Sequence, residues 1–91
     1  MPYTVRFRPE AEADLEKLVK ADAALAQRIL SKIKWLADHC TVINHLPLSG
    51  NLAGLCKKPV GDYRVIYIVH TNDQTIEICF IGHRKDIYKQ A

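Results

Sequence analysis

Hydrophobic and polar positions change rhythm three times along the chain. Between Tyr3 and Phe7 they alternate, with Tyr3, Val5 and Phe7 on one side and Thr4 and Arg6 on the other, the period of a half-buried strand. Pro9 closes that run. Proline suits a first helical turn, and Glu10, Glu12 and Asp14 follow at the end where the helix dipole favours negative charge, so a helix is predicted from about Pro9 to Lys20. Ala11, Leu15, Leu18 and Val19 form its apolar stripe. After Asp22, a suitable N-cap, Leu25, Ile29, Ile33 and Leu36 repeat the helical spacing. Two helices joined by so short a turn lie antiparallel, and their common apolar face needs a flat surface to cover.

The stretch from His39 to Asn51 has no periodicity and carries Pro47 and Gly50, the composition of a surface connection. Three β-rich runs follow: Leu55 to Val60, Tyr63 to His70 and Thr75 to Ile81. Gly61-Asp62 and Thr71-Asn72-Asp73-Gln74 separate them as hairpin turns. The Tyr63 run is apolar on both faces, which places it in the middle of a sheet. The predicted architecture is α+β: strand, helical hairpin on one sheet face, three-strand meander, and a short tail or helix from Gly82. The other sheet face is left concave or covered by a partner.

With 91 residues, 48% hydrophobic and 25% charged, the chain reads as a single globular domain spanning 1–91. No apolar run is long enough for a membrane span, and Arg6 interrupts the amino terminus before a signal-peptide core forms, so a cytoplasmic location is expected. Cys40, Cys56 and Cys79 are odd in number and lack C-x-x-C spacing, against a disulfide framework. The irregular spacing of His39, Cys40 and His45 argues against a metal site, and no cofactor is expected. The net charge of +3 is unevenly placed: Lys57, Lys58, Arg64, Arg84, Lys85 and Lys89 fall in the second half. Such a patch attracts phosphate backbones or an acidic peptide, or is simply a solvated face.

Two motifs sharpen this. Gly61-Asp62-Tyr63-Arg64-Val65-Ile66-Tyr67, preceded by Lys57, and Gly82-His83-Arg84-Lys85-Asp86-Ile87-Tyr88 after the next strand together resemble the RelE/ParE toxin superfamily. The β-α-α-β-β-β order and the length agree with that family from end to end. The resemblance implies a microbial-RNase-like fold with a mainly antiparallel four-stranded sheet, the first strand joining the sheet near the last. It implies a type II toxin–antitoxin system in which a RelB-like antitoxin neutralises the toxin. It also implies that the free toxin is a metal-independent endoribonuclease cutting mRNA on the ribosome. Promoter DNA is reached only through the antitoxin, and no membrane is involved.

That reaction sends a ribose 2′-hydroxyl against the adjacent phosphate, and needs a proton acceptor, cations on the transition state and a donor for the leaving oxygen. Arg64 matches the family's strand arginine and is suited to clamping a phosphate; a bland pairing with Asp62 or Glu77 is the alternative. Arg84 matches the second arginine, and Lys57 the first basic position, where it either takes the proton itself or acts on a neighbour. Many relatives carry a second basic residue two places on; here it is Pro59, and Lys58 is expected on the opposite sheet face. His83 suits acid–base work or a structural role at a strand end, and Tyr88 suits stacking on a base or orienting the hydroxyl. Tyr63 and Tyr67 read as core. The Pro59 departure keeps two other readings open: a ParE-like inhibitor of DNA gyrase, and a non-catalytic module that only binds antitoxin.

Overall fold

A computed structural model describes residues 2–87. The elements are β1 (Thr4–Phe7), α1 (Pro9–Ala21), α2 (Ala23–Asp38), β2 (Leu46–Pro47), β3 (Cys56–Val60), β4 (Tyr63–His70) and β5 (Thr75–His83). Pro9 opens α1 with Glu10 and Glu12 in its first turn. Asp22 alone separates the helices, and its Oδ1 accepts from the Leu25 amide at 3.1 Å, the cap that starts α2.

The sheet has the order β1-β5-β4-β3-β2, with β1 parallel to β5 and every other pair antiparallel. It thus has five strands rather than four. The additional one is a two-residue edge in the irregular connection, where Leu46 and Pro47 pair with Lys57 and Cys56; an edge position tolerates the missing amide of proline. As its two-sided hydrophobicity requires, β4 is central.

One face carries the hairpin. Ala11, Leu18, Ile29, Ile33 and Leu36 from the helices pack with Val65, Tyr67, Ile76, Ile78 and Ile81 from the sheet. β1 ends at Phe7, opposite Ile78, so β5 continues without a strand beyond it. Asp14 of α1 supplies the missing acceptor there: its Oδ2 takes the Ile81 amide at 3.0 Å.

β5 runs two residues further than its apolar pattern predicts, and contains a bulge. Ile66 faces Phe80 while the next residue, Tyr67, faces Ile78, so Cys79 is the extra residue. The bulge reverses parity. Before it Ile76 and Ile78 face the helices; after it Ile81 does, and Phe80 turns to the other face.

Candidate functional site

The hairpin of β3 and β4 turns on Gly61-Asp62, with Val60 opposite Tyr63. Gly61 has φ +60, the left-handed value that a two-residue hairpin turn needs at its first position and that favours glycine. This fixes the faces of both strands. Lys58 opposes Val65 and turns towards the helices, where its Nζ lies 4.8 Å from the centre of the Trp35 ring. Lys57 opposes Ile66 and Pro59 opposes Arg64, so Lys57 and Arg64 share the face without helices, as diagonal neighbours on adjacent strands.

Arg64 lies across the open end of the hairpin. One terminal nitrogen donates to the carbonyls of Gly61 at 3.0 Å and Tyr63 at 2.9 Å. It takes neither of the carboxylates considered for it. Asp62 stands 3.8 Å from Arg84 Nε, and the Arg84 amide donates to the Asp62 carbonyl at 2.8 Å. Arg84 is therefore held at the same end of the sheet as Arg64, exposed, two residues past Gly82, which opposes Arg64 in β5.

His83 is not part of this group. It opposes Tyr63 on the helical side, with ring centres 5.6 Å apart, and its Nδ1 accepts from the Lys85 amide at 3.1 Å. The parity change at Cys79 is the physical reason. Tyr88 lies outside the described residues. Thus the structure puts Lys57 and Arg64 on one face, holds Arg84 against Asp62 at the end of the sheet where Arg64 lies, and turns His83 to the other face.

A second polar group on the open face escaped the sequence reading. Glu77 of β5 accepts from Arg8 Nε at 2.7 Å and His70 Nε2 at 2.7 Å, with Arg6 at 3.6 Å. The bond from Arg8, then that from His70, holds its carboxyl well below the usual range, at about 2. Only the parallel pairing of β1 with β5, which sets Arg6 opposite Glu77, reveals the cluster; nothing local in the sequence signals it.

His45 has a structural task. Its Nε2 lies 2.9 Å from the Cys40 carbonyl, which can only accept, so that nitrogen carries hydrogen and Nδ1 accepts from the Tyr67 hydroxyl at 2.6 Å. Tyr67 is thus core, as read, and its buried hydroxyl is satisfied. Burial pushes its phenol up, and likewise the thiols of Cys40, Cys56 and Cys79, none of which is poised as a nucleophile. Among the described residues no group of three or more His, Cys, Asp or Glu is arranged to hold a metal ion, and no helix is long and apolar enough to cross a membrane.

The helical hairpin on one face of this sheet is the fold of the RelE and YoeB toxins, and sequence and structure together place the chain in the RelE/ParE toxin superfamily. The family described as ParE toxin of type II toxin-antitoxin system matches residues 5–88, and the chain belongs to it. Toxin RelG of Mycobacterium tuberculosis is 35% identical over 94 residues, covering 99% of this chain and 100% of that protein. Among solved structures, the toxin–antitoxin complex RelBE2 of the same organism matches with a TM-score of 0.67 and 32% identity over 94% of this chain and 95% of that one. The archaeal RelE–RelB complex from Pyrococcus horikoshii matches with a TM-score of 0.69 and 29% identity, over 92% and 97%.

Proposed function

We propose that this toxin, when free, is a ribosome-dependent endoribonuclease that cuts mRNA, and that a RelB-like antitoxin restrains it. The observation that carries the reading is that Lys57 and Arg64 share the helix-free face, with Arg84 at the end of the sheet where Arg64 lies. In-line attack by a 2′-hydroxyl accumulates negative charge on the phosphate, and two arginines with a lysine offer fixed positive charge where it develops. Arg64 clamps the phosphate and Arg84 approaches from the edge. Lys57 takes the proton of the attacking hydroxyl or acts on the group that does, and Tyr88 stacks on a base or orients that hydroxyl. His83 is left out of proton transfer because it points to the other side of the sheet. The domain is too small to read codons alone, so the ribosome presents the substrate.

The gyrase reading is favoured by one observation: Pro59 occupies the open face opposite Arg64, and Lys58 is turned away over Trp35, leaving that face one cation poorer. One experiment separates the readings. Purified toxin is added to a reconstituted translation system while supercoiling by gyrase is followed in parallel. Truncated mRNA with unaffected supercoiling is expected. Intact mRNA with inhibited supercoiling would transfer the assignment to gyrase, and no effect on either would leave an antitoxin-binding module.

A further inference from the structure

Two hollows follow one another between α2 and the turn joining β3 to β4. The larger, about 830 Å³, lies between Trp35, Lys32 and Arg28 on one side and Pro59 to Gly61 on the other. The smaller, about 380 Å³, continues to Tyr63 and His83. They share Ala24, Arg28 and Gly61, so a single groove runs along the outer flank of α2.

Its chemistry is polarised. Ala24, Pro59 and Val60 give it an aliphatic strip beside the uncharged polar Gln27 and Ser31, and Trp35 lines the same hollow with 36% of its surface exposed. At that end Lys32 and Lys58 place their ammonium groups 5.4 and 4.8 Å from the Trp35 ring centre, and Arg28 joins them on the rim. The one acidic residue of α2 is Asp38 at its last position; it does not line the groove, and neither does any other carboxylate at the Trp35 end. Acidic groups appear at the far end, where Asp22 and Asp62 line the groove.

We propose that this groove docks a polypeptide segment bearing apolar side chains flanked by glutamate or aspartate, laid with its acidic part over Trp35, Lys32 and Lys58. The aliphatic strip accepts the apolar side chains, and the lysines exchange a weak contact with the indole for carboxylates. An RNA strand fits less well. One face of Trp35 is already stacked by His39, with ring centres 4.7 Å apart and planes at 23°. The rings at the far end, Tyr63 and His83, are packed edge to face on each other with centres 5.6 Å apart, and Asp22 and Asp62 beside them repel phosphates. The segment meets the helical side and leaves Lys57 and Arg64 uncovered, so it anchors a partner without plugging the proposed catalytic face. The inference does not rest on the nuclease reading.

Trp35 is the chain's sole tryptophan and reports on the groove by its own fluorescence. Whole toxin is titrated with three probes: a short amphipathic peptide of leucine and glutamate, its counterpart with lysine for glutamate, and an oligouridine. The glutamate peptide is expected to change Trp35 emission saturably, and the other two to bind at least about tenfold more weakly. Lys32→Glu/Lys58→Glu should weaken the glutamate peptide about tenfold or more and favour the lysine peptide, whereas Lys20→Glu, on α1, should not. Lys32→Gln, a milder change, should weaken it in the same direction if the double variant fails to fold. A glutamate peptide that leaves the emission unchanged, equal affinity for both peptides, preference for oligouridine, or indifference to the lysine changes would each overturn the proposal. Loss of mRNA cleavage with peptide binding intact would bear on the nuclease alone.

Discussion

Glu77 illustrates how much a single residue settles. Arg8 and His70 donate to its two oxygens at 2.7 Å each, tying β1, β5 and β4 together on the open face. Because its folded-state value of about 2 lies below the ordinary 4.5, the stabilisation is complete above 4.5 and is lost as pH falls towards 2. Glu77→Gln should therefore cost about 1–3 kcal/mol at neutral pH and flatten the acid limb of the stability curve, measured by urea unfolding at several pH values. Parallel acid limbs for variant and wild type would refute this. The proposed chemistry also divides by residue. Arg64→Ala should lower cleavage on the ribosome by roughly a hundredfold or more, as loss of a transition-state contact does, whereas His83→Ala should retain most of the activity. That Lys57 and Arg64 share a face was legible from strand alternation about the Gly61-Asp62 turn, whereas their proposed roles, like that of Arg84, come from the resemblance alone. His83 was legible only as a residue type, since its face depends on a backbone irregularity elsewhere in its strand.

At the scale of elements, that irregularity is the bulge at Cys79, which sends Phe80 to the open face and His83 to the helical one. Alternation in Thr75 to Ile81 reveals the strand but not the change of parity, because Cys79 is apolar and fits either side. The helices were legible almost to their ends, since Pro9 and Asp22 are local signals. β2 was not, because two residues at an edge have no period and pair only once β3 is in place. The join between helix and sheet makes a prediction here. Asp14→Ala removes the only acceptor shown for the Ile81 amide beyond the end of β1, and should lower stability by about 1–3 kcal/mol, while Asp14→Asn, which keeps an acceptor, should cost less. Equal melting temperatures for the two variants would count against that role. At the β3–β4 turn, Gly61→Ala should cost about 1 kcal/mol or more because φ is +60 there, and chemical denaturation would show it. An unchanged midpoint would mean that the turn relaxes without strain.

Across the whole molecule the two sides of the sheet divide the work. The helical side contains the core and, along the outer flank of α2, the groove at Trp35; the other side carries Lys57, Arg64 and the Glu77 cluster. Neither side was wholly visible beforehand. Hydrophobic periodicity defines the core and the free face, yet the joining of β1 to β5 and the meeting of Lys58 with Trp35 arise from pairings between distant segments. The central claim is that the cations of the free face cut RNA, and it is tested most directly by mapping mRNA 5′ ends on translating ribosomes. Brief expression of the wild-type chain is compared with Arg64→Ala/Arg84→Ala. Discrete cuts within translated sequence that disappear in the double variant are the predicted result; growth arrest by the wild type with mRNA left intact would contradict it.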